Sequence, residues 1–305
     1  MLRHSLLWAS RRRSIHTAVV TAPVTRSLVR RFVAGETVDD AVRAARALAD
    51  AGLHASLDHL GEYTHNAADA AAAVEAYVTL LRRFADEGLS SWAEVSVKLS
   101  AVGQSIDEAM ALDNARAICR AACEAGTTVT IDMEDHTTTD STLRIVALLR
   151  EDFPSTGAVL QASLHRSEDD CHALATPGVR VRLCKGAYQE PATVAWQHLR
   201  DVRGAFLRCL RVLATGGAHV MVATHDPRLI AAAGRMLAEL APHGTHEYQM
   251  LYGIRPDEQR RLAAAGETVR VYTPFGTQWY SYLMRRMAER PANLALVLRA
   301  AVSRR

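Results

Sequence analysis

Lysine is almost absent from this sequence. Of the 36 cationic residues only Lys98 and Lys185 are lysines, which leaves 34 arginines (36 minus 2). A lysine that persists in such a chain could mark a position that a guanidinium does not fit, although chance can also leave two. Cysteine pairs are missing too, because the five cysteines form no CxxC motif. This argues against a disulfide framework and for a reducing compartment.

Long apolar runs and a strong net charge are also missing. No stretch approaches the roughly 18 consecutive apolar residues that a membrane-spanning helix needs. The net charge of +3 is too small to indicate nucleic acid as a partner. With 49% apolar residues, the 305-residue chain is typical of a water-soluble globular protein that can bury a large core.

The first 35 residues carry seven arginines and no acidic residue. Three interpretations fit: an organellar targeting segment, a basic arm that touches anionic lipid, and the arginine-rich start of a bacterial protein, which we favour. Helix signals then run over residues 37–51. We therefore divide the chain into a basic arm with a helix at residues 1–52 and one main domain at residues 53–305. The expected location is the bacterial cytoplasm, with peripheral contact to the inner membrane, or the mitochondrion if the arm is a targeting segment.

From residue 53 onward short strand-like runs alternate with amphipathic stretches. The predicted strands cover residues 54–60, 95–99, 129–132, 159–162, 179–183, 220–223, 247–251 and 269–272. The predicted helices include residues 68–86, 107–124, 138–150, 191–213 and 227–240. Eight strands alternating with helices predict an α/β fold, a (βα)8 TIM-like barrel preceded by an N-terminal helical arm. No GxGxxG motif follows a predicted strand, so a Rossmann domain is not supported.

In such a barrel the chemistry collects at the carboxyl ends of the strands. Alternation along the second strand places Lys98 inward, while its apolar neighbours face the helices. The same count turns four other polar residues inward near their strand ends: Asp132, Gln161, Arg182 and Tyr272. These groups predict a functional site, because an apolar barrel core does not need them. Arg180 also counts as inward, at a deeper position, and the sequence offers no role for it.

The C-terminal residues 269–289 are typical of a strand, a Thr-Pro-Phe-Gly turn and a helix. Four residues of that helix share one stripe, at positions i, i+3, i+4 and i+7: Tyr282, Arg285, Arg286 and Glu289. Two adjacent guanidiniums beside an aromatic ring form a fork that suits a small carboxylate. A solvated surface stripe is the alternative interpretation. Arginine before glutamate is the weaker order for helix stability, which slightly favours the fork.

Seven segments bring these residues together as motifs. They are VKLSAVG (97–103), IDMED (131–135), the glutamine of LQAS (161), RLCKGAY (182–188), ATHD (223–226), EYQMLYG (247–253) and YLMRRMAE (282–289). In this order they resemble the proline dehydrogenase family, in its short, monofunctional bacterial form. The resemblance implies an FAD-dependent enzyme on a distorted (βα)8 barrel. FAD would oxidise L-proline to Δ1-pyrroline-5-carboxylate, the first step of proline catabolism to glutamate, and the electrons would pass to a membrane quinone.

The resemblance also implies roles for individual residues. Asp132 and Arg182 match catalytic positions, with Arg182 next to the reactive nitrogen of the flavin, where a cation stabilises arriving negative charge. The substrate-binding positions are matched by Lys98, Arg285, Arg286, Tyr272, Tyr282, Leu183 and Glu289, and the three cations would bind the proline carboxylate. The FAD-contacting positions are matched by Met133, Gln161, Lys185, Gly186, Ala187, Tyr188, Thr224 and His225. Tyr188 would also wall the substrate ring, and no metal is expected.

The sequence departs from the family pattern at two positions. Gln189 stands where longer family members often carry tryptophan, and Asp226 replaces the more usual asparagine of ATHN.

A quinone in the bilayer requires a lipid-facing surface, and the acid-free arm and the basic tail at residues 294–305 could supply it. We therefore expect weak peripheral contact with anionic membranes and no binding to nucleic acid. The oligomeric state stays open.

Without the resemblance, the residues leave three other classes of function open. A Schiff-base aldolase could use Lys98 or Lys185, but it would not explain Gln161 or the tyrosine walls. A divalent-metal barrel enzyme could use acidic and histidine side chains at residues 132–136 and His225. No HxH or HExxH spacing supports such a metal site. A non-enzymatic interaction protein is the third class.

Overall fold

The structure, a computed structural model, describes residues 29–240, 246–280 and 282–284. Within these residues eight strands pair in parallel in one sheet, in the order β3-β2-β1-β8-β7-β6-β5-β4. The strands are β1 (His54–His59), β2 (Ala93–Val97), β3 (Val129–Ile131), β4 (Ala158–Gln161), β5 (Arg180–Cys184), β6 (His219–Ala223), β7 (His246–Leu251) and β8 (Val269–Phe275).

The two outermost strands of this order, β3 and β4, meet and close the sheet. A parallel bridge joins Thr130 to Gly157, and Ile131 donates its backbone N–H to the Gly157 carbonyl at 2.9 Å. The helices are α1 (Val38–Asp50), α2 (Ala67–Asp86), α3 (Glu108–Glu124), α4 (Thr139–Asp152), α5 (Ser167–Leu174), α6 (Leu199–Thr215), α7 (Pro227–Leu240) and α8 (Pro256–Ala264). The predicted (βα)8 TIM-like barrel is therefore confirmed.

An apolar layer between the strands and the helices carries most of the core. In α2 the buried residues recur at helical spacing, and Leu80, Leu81 and Phe84 pack in one cluster with Val95 and Val97 of β2. Each of these large side chains contributes about 1.5–3 kcal/mol when it is fully buried. Because this layer satisfies the outer face of the barrel, the alternate strand residues that point inward are free to be polar.

Several predicted element boundaries are wrong. β8 continues to Phe275, so most of the predicted Thr-Pro-Phe-Gly turn belongs to the strand, where it pairs with β1. β2 ends at Val97, so Lys98 is the first residue after the strand, and Leu99 begins a short 3-10 helix (Leu99–Val102). The helix predicted at residues 191–213 begins only at Leu199. The preceding loop is held against the end of β4 because Trp196 donates its backbone N–H to the Ser163 carbonyl at 2.8 Å. That bond ties the loop to the end of β4 rather than to a helical turn.

Residues 29–36 lie across the carboxyl end of β8. Ala34 donates its backbone N–H to the Pro274 carbonyl at 2.9 Å. Phe32 is buried in a cluster completed by Val33, Leu60, Trp279, Tyr280, Tyr282, Leu283 and Met284. Residues 1–28, which include most of the predicted basic arm, lie outside the described residues. Among the helices that the structure describes, none is both long enough and apolar enough to span a membrane.

Candidate active site

Four of the residues predicted at the barrel mouth form one hydrogen-bonded cluster. Lys98 donates from Nζ to the Tyr272 hydroxyl at 3.0 Å and to Asp132 Oδ2 at 3.3 Å. Tyr272 in turn donates its hydroxyl to Asp132 Oδ2 at 2.6 Å. Arg182 donates from Nη1 to Asp132 Oδ1 at 2.6 Å, and its guanidinium carbon lies 5.3 Å from the Tyr272 ring centroid. Asp132 is therefore the common acceptor of this cluster.

Asp58, at the end of β1, is part of the cluster but was absent from the sequence-based set. Lys98 donates from Nζ to both carboxylate oxygens of Asp58, at 2.8 Å each. An ammonium has three N–H groups, and four oxygen atoms now lie within hydrogen-bonding distance of them. A substrate carboxylate that binds Lys98 would therefore have to displace one of these acceptors.

The charges of the cluster are fixed by their neighbours. Burial alone would lower the pKa of Lys98. Its neighbours outweigh burial and hold this pKa well above its ordinary value: the carboxylates of Asp58 and Asp132 and the phenol of Tyr272. Burial raises the pKa of Asp132, but Lys98 and Arg182 outweigh it and lower that pKa. Burial and the two carboxylates raise the pKa of Tyr272, which keeps its hydroxyl a donor. Lys98 is therefore charged, and a Schiff base needs a neutral amine.

Arg182 is held on every side of its guanidinium. Its Nε donates to Gln249 Oε1 at 2.5 Å, and its Nη1 donates to the Ser96 hydroxyl at 2.7 Å as well as to Asp132. Its Nη2 donates to the Ser56 hydroxyl at 3.1 Å. The guanidinium is only 5% exposed, so its orientation is set by the protein and not by solvent.

A second ionic layer lies below the mouth and explains Arg180, which had no predicted role. Arg180 pairs with Glu94 of β2 at 2.5 Å, and Arg270 of β8 forms two hydrogen bonds with Glu247 of β7, at 2.8 and 3.0 Å. With Lys98, Arg182, Asp58 and Asp132 above, the described residues place four cations and their four carboxylate partners inside the barrel. Each of these cations thus has a carboxylate partner, although burial raises the pKa of Asp58 against the opposing effect of Lys98. An anionic substrate needs further cations.

The residues predicted to contact FAD lie on the loops that follow β3, β5 and β6, except for Gln161, which is the last residue of β4. Gln161 donates from Nε2 to the Glu134 carbonyl at 2.7 Å. Gly186 has φ +104°, and a Cβ at this position would overlap the Ser163 hydroxyl. The Nζ of Lys185 lies 3.7 Å from Asp226 Oδ2. Met133 and Thr224 are buried, His225 and Tyr188 are half-buried, and Ala187 is exposed.

Not all of the predicted substrate residues join the cluster. Leu183 is buried in the apolar layer between the barrel and its helices, because Arg182 takes the inward position of β5. Tyr282 is buried in the cluster with Phe32. Arg285, Arg286 and Glu289 lie outside the described residues, so their predicted roles stay predictions.

Known proteins resemble this chain over nearly its whole length. Residues 41–299 match the sequence profile described as Proline dehydrogenase. The chain is 39% identical over 300 residues to proline dehydrogenase 1 of Bacillus subtilis (strain 168), across 98% of each chain. The chain belongs to the proline dehydrogenase family. A proline dehydrogenase of Deinococcus radiodurans is 41% identical over 278 residues, across 89% of each chain. The family and the class of enzyme predicted from the motifs are confirmed.

Solved structures of the proline utilization A type share the barrel of this proline dehydrogenase family member. A crystal structure from Bdellovibrio bacteriovorus, inactivated by N-propargylglycine, superposes with a TM-score of 0.81 at 24% identity. One from Bradyrhizobium japonicum gives a TM-score of 0.73 at 22% identity. They match 87% and 91% of this chain, which spans 33% and 32% of theirs. At these identities the likeness shows the fold alone.

Family membership also decides against the aldolase and the interaction protein as alternatives. For the metal alternative, the described part of the chain contains no group of three or more His, Cys, Asp or Glu side chains that could hold an ion. Two of the residues considered for it are used in other ways. Asp135 accepts a hydrogen bond from the Tyr63 hydroxyl at 3.3 Å, and His136 contacts Glu190.

Proposed function

We propose that the chain oxidises L-proline to Δ1-pyrroline-5-carboxylate with bound FAD as the two-electron acceptor. The observation that carries the proposal is the cluster of Lys98, Asp132, Arg182 and Tyr272 at the mouth of a proline dehydrogenase family barrel. The oxidation removes a hydride from the ring CH2 next to nitrogen and releases a proton from that nitrogen to solvent, which leaves a C=N bond. No metal takes part in this proposal.

The residues present at the mouth fit a flavin. The turn after β5 can offer backbone amides to a flat ring system, and this turn requires glycine at position 186, where φ is +104° and a side chain would overlap Ser163. The ring carries polar edges, which an amide such as Gln161 and a cation such as Arg182 can bind. Lys185, about one third exposed, is available to the phosphate oxygens. When bound, FAD supplies the site where the hydride is accepted.

Arg182 and Asp132 are proposed to act through charge. Arg182 presents a buried, permanently charged guanidinium where negative charge develops during hydride transfer, and in a water-poor site such a fixed cation is most effective. Asp132 stays ionised and holds both Arg182 and Lys98 in place. Neither residue has to move a proton for this role.

The proline carboxylate requires cations that the barrel interior does not supply. Because each of the four cations described inside the barrel already has a carboxylate partner, we propose that Arg285 and Arg286 provide the main clamp and that Lys98 assists by exchanging a bond to Asp58. Glu289 would orient the arginine fork. Tyr188, Tyr272 and Tyr282 would enclose the apolar ring.

The electrons are proposed to leave to a quinone. Contact with an anionic lipid surface would be peripheral and salt-sensitive, since basic residues near such a surface contribute about 1 kcal/mol each and this decreases with salt. The bacterial relatives support a location in the bacterial cytoplasm, and contact with the inner membrane is our proposal from the basic segments of the sequence. We also propose that the chain consists of a basic arm with a helix at residues 1–52 and a main domain at residues 53–305.

Steady-state turnover tests this function. The purified protein should be yellow, release its flavin on acid precipitation, and reduce a soluble short-tailed quinone when L-proline is added. Colourless protein that stays inactive after reconstitution with FAD would refute the proposal.

The arginine fork can be tested in the same assay. Replacing either Arg285 or Arg286 with methionine removes charge-assisted hydrogen bonds of about 1.5–3 kcal/mol each, so KM for proline should rise about tenfold or more. Flavin content should stay normal. Arg260→Met, which removes an exposed arginine on α8, serves as the control and should leave KM unchanged. Loss of flavin with unchanged KM in the fork variants would instead assign the fork to the cofactor.

A further inference from the structure

The motif EYQMLYG provides two buried polar residues that the proposed function does not use. Along β7 the side chains alternate, so Tyr248 and Met250 pack in the outer apolar layer while Glu247 and Gln249 point into the barrel. Glu247 and Gln249 are 2% and 3% exposed. A buried carboxylate and a buried amide are costly unless they are fully hydrogen-bonded, so their partners indicate their purpose.

Gln249 connects Arg182 to the lower ionic layer. Its Oε1 accepts from Arg182 Nε at 2.5 Å, and its Nε2 donates to Glu247 Oε1 at 2.5 Å. Turning the amide over would place its NH2 against the N–H of Arg182 and its oxygen against a carboxylate. Glu247 is itself fixed by two hydrogen bonds from Arg270, at 2.8 and 3.0 Å. The donors and acceptors in this row of hydrogen bonds, from Arg270 through Glu247 to Arg182, therefore allow only one orientation of the Gln249 amide.

The neutrality of this acceptor matters for the charge of Arg182. The Nη1 of the guanidinium already faces the ionised Asp132. A second carboxylate at the Nε would hold the group equally well but would cancel more of its positive charge. An amide oxygen fixes the orientation and leaves the charge available to the mouth.

We propose that Gln249, oriented by Glu247, is a positioning residue that fixes the guanidinium of Arg182 for the reaction. Because this role rests on the proposed function, its test must separate the two. The probe is sulfite, which binds oxidised flavins and bleaches their absorbance, and binds more tightly when a fixed positive charge lies close to the ring. Its affinity for the FAD-loaded protein reports the placement of Arg182.

The test compares the wild-type holoenzyme with Gln249→Met and Glu247→Gln. Gln249→Met removes the acceptor of Arg182 Nε with little change in volume, so the sulfite Kd should rise about tenfold or more. The kcat for proline should fall by a similar factor while KM stays within about twofold, because the carboxylate clamp is elsewhere. Glu247→Gln still offers one oxygen to the NH2 of Gln249 and should therefore raise the sulfite Kd by a smaller factor.

Gln259→Met is the matched control. Gln259 is also a buried glutamine, donating from Nε2 to the carbonyls of Leu251 at 3.2 Å and Ile254 at 2.9 Å, and none of its hydrogen bonds reaches Arg182. Its loss should lower the unfolding temperature without changing the sulfite Kd. An equal rise of the sulfite Kd in this control would overturn the proposal, because the effect would then be general loosening.

The outcomes separate the two claims. A folded Gln249→Met holoenzyme with unchanged sulfite affinity overturns the positioning role but leaves the proposed function intact if proline still reduces the flavin. A wild-type protein that holds no FAD overturns both. If Gln249→Met does not fold, Glu247→Gln decides: a raised sulfite Kd supports the role, and an unchanged one overturns it.

Discussion

Replacing Asp132 with asparagine tests the charge network at the barrel mouth most severely. Each carboxylate oxygen of Asp132 accepts two hydrogen bonds. Oδ1 accepts from the Ser96 hydroxyl at 2.8 Å and from Arg182 Nη1 at 2.6 Å. Oδ2 accepts from the Tyr272 hydroxyl at 2.6 Å and from Lys98 Nζ at 3.3 Å. In either orientation an asparagine NH2 would face a cationic donor that cannot turn to accept, either Arg182 Nη1 or Lys98 Nζ.

The expected loss of stability in Asp132→Asn follows from the burial of this side chain. Asp132 is 8% exposed, and its loss leaves Lys98 and Arg182 in the barrel with one carboxylate fewer. Breaking a buried ion pair by removing one partner costs about 3–5 kcal/mol. At about 2 °C per kcal/mol for a chain of this length, the Tm of Asp132→Asn should fall by about 6–10 °C. Turnover of proline should fall with it, because Arg182 loses its main anchor.

Glu134→Gln is the matched control for this experiment. Glu134 is also buried, at 2% exposed, and accepts from the Ser100 N–H at 3.0 Å and the Ser100 hydroxyl at 2.5 Å. Burial raises the pKa of Glu134, so a neutral side chain suits this position. The Ser100 hydroxyl can turn to accept from the new amide, and Glu134→Gln should therefore lower the free energy of unfolding by about 1 kcal/mol or less. Scanning calorimetry with saturating FAD compares the two. Equal Tm losses, or a loss below about 2 °C in Asp132→Asn, would refute the reasoning.

Three further perturbations follow from the structure. Burial raises the pKa of Glu94, but neighbouring arginines outweigh burial and hold this pKa at about 2, below its ordinary 4.5. The ionised Glu94 therefore contributes about 3 kcal/mol of stability above pH 5, and this contribution is lost as the pH falls towards 2. Glu94→Gln should flatten that acid decline of Tm. Gly186→Ala should lower the flavin bound per chain, measured after acid precipitation, whereas Gly178→Ala, with positive φ but open space, should not. Phe32→Ala should cost about 3–5 kcal/mol in a denaturant titration, whereas Ile106→Ala, on the surface, should cost little.

The barrel could be predicted because its strands and helices differ in hydrophobic period and alternate regularly. Alternation also predicted that Lys98 and Arg182 point inward, since the apolar residues beside them must face the helices. Continued one step further, the same count would have found Asp58: in HASLDH, Leu57 belongs to the outer layer and Asp58 to the inside. Asp58 lies before the first of the seven motifs, which begins at Val97.

Non-local pairs account for what the sequence did not predict. Arg180 had no predicted role because its partner, Glu94, is 86 residues away, and only strand pairing brings the two together. The start of α6 was misplaced because helical propensity before Leu199 is overridden by hydrogen bonds to the end of β4. Gln249 was read only as part of a motif, since its hydrogen bond to Arg182 spans 67 residues.

Anaerobic titration of the FAD-loaded protein with L-proline tests the central claim most directly. The visible flavin absorbance and the imine product should be followed together in the absence of any other electron acceptor. We predict that the flavin absorbance is lost and that one Δ1-pyrroline-5-carboxylate forms for each flavin bound. An oxidised flavin spectrum that persists at saturating proline, with no imine formed, would contradict the account.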